Sequence, residues 1–352
     1  MSKFEITFEL TQHTPIIHFQ ADQAGATLRA TELKPKFDRY LREKFRENKV
    51  GVPATWKTSK NHEALDYKVK IIAKDVKSQY INRNNGPMFF ANMGPGSDKL
   101  FSETRQPIVV EFFSFQIDLL AELKKHFSEF LFVTNFGTRQ SKGYGSFFLS
   151  DLSHIPEAKT PYLEIPKYLM IENEVSVLHF INYYYQLLKS GINYFKFQDY
   201  SSHNCRKRVV KYEHGFLKQY VINKLNYTWE KPWIKSQFIQ EIPLKKGATY
   251  KFARAFLGLY PSAKFEQKNE NCINNYRFSL NVTHENRTQD GEIKRFKSPI
   301  IFKPILFSDH WKVFIHVSPI PDQLLDQTFI FDNNRSKPRL ETPSKPIDLA
   351  DL

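Results

Sequence analysis

Two kinds of apolar spacing alternate along the first 150 residues, and their order restricts the fold more than any other feature. Apolar residues at every second position predict strands at 4–10, 66–76, 107–117 and 146–152. Apolar residues spaced by four predict helices at 31–48 and 118–132. The order is therefore strand, helix, strand, strand, helix, strand.

That order is the βαββαβ order of a ferredoxin-like fold, whose sheet resembles the RNA-recognition module. We expect an α+β protein of two ferredoxin-like (RRM-like, βαββαβ) domains. A proline-rich linker follows residue 153, and the second half mixes helical patterns near 175–190 and 205–225 with strand patterns at 276–284, 298–307 and 311–320. The expected division is 1–155 for the first domain with its glycine-rich loop, 156–332 for the second, and 333–352 for a flexible polar tail.

Charge points to a polyanionic partner. The 51 Lys and Arg residues exceed the 37 Asp and Glu residues by 14, a balance that favours nucleic acid or an anionic membrane as the partner, with a solvated basic surface as the alternative. No apolar run reaches the length of a membrane span, and the N-terminus lacks the apolar block of a signal peptide. Cys205 and Cys272 stand too far apart to suggest a zinc site or a disulfide framework. We expect a cytoplasmic protein without membrane attachment, cofactor or metal.

A glycine-rich stretch, "NFGTRQSKGYGSF", separates the second predicted helix from the strand after it. Gly137, Gly143 and Gly145 permit positive φ, and successive backbone N–H groups in such a loop form a concavity that suits phosphate oxygens. Arg139 and Lys142 add charge, and the ring of Tyr144 offers a stacking surface for a base. The spacing is neither that of a Walker loop nor that of a dinucleotide fingerprint. Two interpretations stay open: a phosphate cradle, or a tight turn in which the glycines serve backbone geometry alone.

Three further groups of basic side chains are candidates for RNA contact. The first lies at the start of the first helix, where the helix dipole favours a phosphate. From Arg42 onward the same helix predicts a solvated surface of paired charges. In the other two groups, a charged helix or strand edge in water is the alternative. The candidates are Arg29, Lys34, Lys36 and Arg39; Arg206, Lys207 and Arg208; and Arg295 and Lys297 in a stretch that continues to Lys303.

A long connection at 82–106 contains an apolar group, Met88, Phe89 and Phe90, between two Gly-Pro pairs. Connections of this length inside a domain are usually functional or disordered. The apolar group either projects toward a neighbour or tucks into the protein's own core.

Four stretches, in this order along the chain, resemble the RAMP superfamily of CRISPR-associated proteins. "FELTQHTPIIHF…GATLRATELKPKFDRYL" resembles the N-terminal signature of that superfamily, in which a strand, Thr-Pro and an arginine-bearing segment lead into a Lys-Pro helix start. "FGTRQSKGYGSF" resembles its glycine-rich loop, and "FARAFLGLYPSAKF" and "RFKSPIIFKPI" resemble segments of its C-terminal half. Within the superfamily, the chain is similar to the two-domain subunit that caps one end of type III-B (Cmr-type) effector complexes.

The resemblance implies a non-catalytic RNA-binding subunit of a type III ribonucleoprotein in antiviral defence. Its partners would be guide RNA, target RNA and other RAMP subunits, and the apolar group at 88–90 would belong to a thumb-like projection. The alternative is a metal-independent endoribonuclease with a histidine as general base, for which His13 and His18 are candidates and His62 a weaker one. Asp22 and Asp98, the acids nearest to where a target-cleaving RAMP subunit carries its aspartate, are supported by no motif.

Overall fold

The computed structural model describes residues 3–18, 27–58, 63–81, 87, 100–156, 160–172, 176–196, 208–239, 242–259, 262–267, 276–285, 293 and 295–349. The helices are α1 (Ala30–Glu47), α2 (Ile117–Val133), α3 (Lys167–Glu172), α4 (Val177–Lys189), α5 (Phe216–Asn223) and α6 (Glu230–Ser236). The strands are β1 (Glu5–Gln12), β2 (Lys68–Ile72), β3 (Lys77–Tyr80), β4 (Leu100–Glu103), β5 (Ile108–Phe113), β6 (Phe147–Leu149), β7 (Tyr162–Pro166), β8 (Ile192–Lys196), β9 (Arg208–Glu213), β10 (Thr228–Trp229), β11 (Tyr250–Lys251), β12 (Ser262–Gln267), β13 (Tyr276–His284), β14 (Ile300–Leu306), β15 (His310–Val317), β16 (Thr328–Asp332) and β17 (Arg339–Glu341). This mixture of helices and antiparallel sheets confirms the α+β class.

The chain divides into two compact units. Unit 1 contains Met1–Ile181 and Ile301–His316, and unit 2 contains Asn182–Ile300 and Val317–Leu352. This division differs from the predicted boundaries at 155 and 332. The reason is that β14 and β15 form a three-stranded sheet with β7, in the order β14-β15-β7. Such long-range pairing leaves no trace in a local apolar pattern.

Unit 1 is built on a four-stranded antiparallel sheet in the order β2-β5-β1-β6. Its strands and helices follow each other in the predicted order, with the β3–β4 hairpin inserted between β2 and β5. The description of both units as ferredoxin-like stays a prediction.

An aromatic cluster fills the space between the two helices and the sheet of unit 1. Phe37 of α1 stacks on Phe130 of α2 at 4.7 Å between ring centroids, and it meets the edge of Phe112 of β5 at 6.0 Å. Phe127 of α2 lies 5.0 Å from Phe112. All four rings are at most 1% exposed, so this cluster fixes both helices on one face of the sheet.

Helix α1 begins earlier than its sequence suggests. Arg29 occupies the N-cap position in extended conformation without a side-chain cap, so the helix includes Ala30, one residue before the predicted start at 31. Pro35 therefore lies beyond the first turn, where it removes one intrahelical hydrogen bond. Burial of Leu33, Phe37 and Leu41 offsets that loss.

Unit 2 contains the four-stranded antiparallel sheet β12-β13-β16-β17. The predicted helix at 205–225 is wrong in its first half, since Arg208–Glu213 form β9, which pairs with β8. The predicted flexible tail also differs from the structure. Arg339–Glu341 form β17 beside β16, and Leu340, Ile347 and Leu349 are buried, because a few isolated apolar residues suffice to hold a polar segment on the surface of a core.

Candidate functional site

The glycine-rich loop connects α2 to β6 in unit 1. Hydrogen bonds join Gly145 N–H to the carbonyl of Pro15 at 2.8 Å and Thr138 N–H to the carbonyl of Ile17 at 2.6 Å. Asn135 donates to the carbonyls of Gln140 at 2.7 Å and Phe302 at 2.8 Å. The loop therefore lies against the 14–17 segment on one side and against β14 on another.

Backbone geometry requires all three glycines of the loop, as Gly137 and Gly143 illustrate. Gly137 has φ +77°, and a Cβ there would lie 2.5 Å from the carbonyl oxygen of Ile17. Gly143 has φ +81°, and a Cβ there would lie 2.6 Å from Ile181 Cδ1 and 3.3 Å from Pro304 Cγ. L-residues resist that backbone conformation at both positions, and at Gly137 the backbone oxygen of Ile17 leaves no room for a side chain. The tight-turn interpretation thus accounts for the glycines by geometry within unit 1.

The side chains of the loop are largely covered by the protein itself. Tyr144 is 1% exposed, its hydroxyl lies 3.4 Å from the carbonyl oxygen of Pro87, and burial raises its pKa above the usual range. Lys142 is 4% exposed and pairs through its backbone with Phe302. Arg139 is half-buried and takes a positive φ of 59°. Of the six residues predicted as RNA contacts in this loop, Arg139 alone keeps substantial exposure.

The cations predicted at the start of α1 serve partly to hold the loop. Lys36 bonds Glu32 at 2.7 Å and the carbonyl of Asn135 at 3.0 Å. Glu32 in turn accepts the N–H of Gly137 at 2.7 Å. Lys34 pairs with the buried Asp38 at 2.9 Å and donates to the carbonyl of Leu65 at 2.8 Å.

The other predicted contacts divide by exposure. Arg39 on α1 is exposed, and Arg29 is half-buried. Arg295 and Lys297 in unit 2 are exposed. Arg206 and Lys207 lie outside the described residues, as do the apolar group at 88–90 and the acids Asp22 and Asp98. Arg208 begins β9.

Lys303, the last cation of the basic stretch that begins at Arg295, is buried and is not a surface cation. It is fully buried in β14, and its ammonium donates to the carbonyls of Thr134 and Phe147, both at 2.8 Å. Burial lowers its pKa well below the usual range, and the charge of Lys36 lowers it further. The signal in the sequence is its position in an apolar strand pattern, "IIFKPIL".

Two histidines lie near that lysine. His13 accepts the N–H of Leu306 through Nδ1 at 3.1 Å, and burial lowers its pKa to about 3, assisted by the charge of Lys303. Burial lowers the pKa of His316 to about 4, with a further contribution from Lys303. Both rings are therefore neutral near pH 7 in the folded protein.

Unit 2 contains a buried ion pair between Arg254, in the segment "FARAFLGLY", and Glu230 at the start of α6. Arg254 Nε lies 2.5 Å from Glu230 Oε1, and the Glu230 side chain is fully buried. Burial raises the pKa of Glu230, although Arg254 opposes that shift. The guanidinium also lies 5.6 Å from the ring of Phe265, so the pair joins α6 to β12.

Neither metal ligation nor membrane crossing has support among the described residues. No group of three His, Cys, Asp or Glu side chains there is placed to hold a metal ion. No helix in those ranges combines the length and apolar character needed to cross a bilayer.

Two family models cover most of the chain. Residues 3–192 match the Cmr1 N-terminal domain, and residues 212–351 match the Cmr1 C-terminal domain. A chain that carries both domains in this order is a two-domain RAMP protein of the type III-B CRISPR effector class. It belongs to the Cmr1 family, which confirms the resemblance drawn from the sequence motifs. The comparison with curated proteins gives no match.

Proposed function

We propose that this Cmr1-family chain is a non-catalytic RNA-binding subunit that contacts guide RNA, or the guide–target duplex near one end. The observation that carries the proposal is the match of both Cmr1 domains, in order, to one chain. A net charge of +14 suits a phosphodiester partner. The proposal also includes docking on neighbouring RAMP subunits and a cytoplasmic location, where guide and target RNA meet.

Exposed and half-buried guanidinium groups are the contacts we favour in unit 1. Arg39 is exposed on α1, and Arg29 and Arg139 keep part of their surface. Lys36, Lys142, Tyr144 and the three loop glycines keep their place in the proposal as the scaffold that positions Arg139. Lys34, which pairs with Asp38, keeps its place as a contact at the start of α1. Unit 2 would add Arg206, Lys207, Arg208, Arg295 and Lys297. Because such side chains bind phosphate, recognition would be independent of the spacer sequence.

The alternative, a metal-independent endoribonuclease, has less support. A general base works best with a pKa near the operating pH and with its nitrogen within reach of the substrate. His13 has a pKa of about 3, its Nδ1 accepts a backbone N–H, and its Nε2 is buried. His18 is only 5% exposed.

Purification of the native complex, followed by crosslinking of its RNA, tests the proposal. We expect crosslinks from this subunit to guide or target RNA. Absence of crosslinks from this subunit, in a complex whose other subunits do crosslink, would contradict it. Incubation of the isolated chain with repeat RNA in EDTA tests the alternative, which requires a discrete cut.

A further inference from the structure

A basic concavity lies at the C-terminal end of α1, distant in sequence from the glycine-rich loop. Its volume is about 430 Å³, and four of its seven lining residues are cations, with no acid among them. The lining residues are Arg42, Arg46, Lys49, Val50, Gly51, Val52 and Lys57. We refer to it as the α1-end concavity.

Three of its cations are not neutralised within the described part of the chain. Arg42 pairs with Glu63, and Lys44, outside the concavity, pairs with Glu129 at 2.7 Å. No carboxylate in the described ranges lies within ion-pair distance of Arg46, Lys49 or Lys57. Like charges that converge without counter-charges repel each other, so the arrangement is stabilised when an anion binds.

The backbone supplies a second, independent observation. Lys49 takes φ +57° immediately after the helix, where its N–H bonds the carbonyl of Arg46 at 3.0 Å. Glycine or asparagine is the usual residue in this left-handed position, because other residues are strained there. Glycine would serve the turn better than lysine. The strained lysine is explained if its ammonium has a ligand.

The helix dipole does not account for the whole arrangement. Cations in the last turn of a helix stabilise its negative end. This effect explains the position of Arg46 but not that of Lys57. Lys57 comes from a separate segment, after the turn at Ala54–Trp56, yet faces the same concavity. Val50 is 54% exposed at its rim and offers an apolar surface to a ribose or a base.

We propose that the α1-end concavity binds the phosphodiester backbone of single-stranded RNA. Arg46, Lys49 and Lys57 contact successive phosphates, and Val50 packs on the sugar. This site rests on the proposed RNA-binding function and adds a contact surface to it, beyond the residues at the start of α1 and in the glycine-rich loop.

Lys49→Gly separates binding from folding, because it removes the ammonium while relieving the strained φ. We expect the thermal midpoint of the full chain to stay the same or rise. Affinity for a single-stranded RNA of mixed sequence should fall about 3–10-fold, and the log–log salt slope should lose about 0.7 per phosphate contact. Arg46→Gln should lower the RNA affinity and the salt slope by similar amounts. Lys124 is an exposed cation on α2, and Lys124→Gln should leave both quantities nearly unchanged.

Wild-type affinity and slope in both Lys49→Gly and Arg46→Gln would overturn the site while leaving RNA binding elsewhere intact. A wild-type chain that fails to bind RNA at low salt would overturn the proposed function and this site together. Polyglutamate serves as a competitor. If it displaces RNA as well as an RNA competitor of equal charge, the concavity is a docking site for an acidic protein segment and the RNA proposal is wrong.

Discussion

Lys303 donates a 2.8 Å hydrogen bond to the carbonyl oxygen of Phe147, a residue that precedes it by 156 positions. A second bond of the same length reaches Thr134. The two carbonyls lie before and after the glycine-rich loop, so one buried ammonium holds both ends of the loop against β14.

Replacement of Lys303 by methionine should destabilise unit 1. Methionine keeps the volume of the stem but leaves two buried carbonyls without a donor, at a cost of about 2–4 kcal/mol. Urea unfolding of the full chain measures this difference. Lys312→Met is the control, because that lysine contacts the rings of Tyr162 and Phe307 at 5.1 and 5.0 Å and should cost less than about 1 kcal/mol. An equal decrease in unfolding free energy in the two variants would contradict the role assigned to Lys303.

Gly143→Ala should lower stability by about 2 kcal/mol or more, since alanine is strained at φ +81° and its Cβ meets Ile181. Gly143→Val should lower it further. Gly51→Ala is the matched control, because nothing lies within 4 Å of a Cβ there and its φ is not positive. That variant should be neutral or slightly stabilising. Thermal unfolding of the three variants distinguishes these outcomes, and a wild-type midpoint for Gly143→Ala would show that the loop relaxes without cost.

Acid should destabilise unit 1 through His13. The pKa of this group is lowered to about 3 in the folded state, against about 6.5 when unfolded. The unfolded chain therefore binds the extra proton, and stability is lost as pH falls from about 6.5 toward 3. His13→Asn keeps an acceptor for the N–H of Leu306 but cannot be protonated, so its unfolding free energy should fall less between pH 7 and pH 5. An unfolding free energy of His13→Asn that falls with pH as steeply as that of the wild type would refute the assignment.

Arg254→Met should destabilise unit 2 by about 3–5 kcal/mol at pH 7, because it leaves the Glu230 carboxylate buried without its partner. The pKa of Glu230 is already raised by burial and should rise further in the variant. Because a carboxyl with a raised pKa binds its proton more tightly in the folded state, the folded variant is stabilised relative to the unfolded chain as pH falls. The difference in unfolding free energy between variant and wild type should therefore be smaller at pH 5 than at pH 7. Lys251→Met, which breaks a pair with the half-exposed Glu341, should cost less than about 1 kcal/mol. A loss for Arg254→Met that is independent of pH would contradict this account.

RNA affinity of the full chain should fall steeply with salt, with a log–log slope of about −0.7 for each phosphate neutralised on a single strand. Replacing Arg39 and Arg139 by glutamine should reduce the magnitude of that slope while the thermal midpoint changes little. Fluorescence anisotropy over a series of salt concentrations provides the measurement. A slope near zero for the wild-type chain would exclude electrostatic recognition of the backbone.

Local patterns predicted most of the first sheet and both of its helices, because alternation and four-residue spacing report which face of a segment is buried. These local patterns gave wrong predictions where a strand pairs with a partner far away in the sequence. "RVVKYE" was assigned to a helix, although it pairs as a strand with β8, and residues 301–316 gave no sign of belonging to unit 1. The glycine-rich loop was located correctly, but its sequence does not reveal that Lys142 and Tyr144 face the interior. That burial depends on β14 and the 14–17 segment, both far from the loop in sequence.

The contribution of Ile301–His316 to unit 1 also sets the order in which a nascent chain can mature. The N-terminal sheet and its helices are synthesised long before β14, yet Lys303 and the strands that complete the unit emerge only after residues 182–300 of unit 2 have been translated. A ribosome-bound chain therefore carries an unfinished N-terminal half for most of its synthesis, and a fragment cut at residue 192 lacks a piece of its own interior. Expression of the two family domains as separate polypeptides would divide the chain where its fold does not.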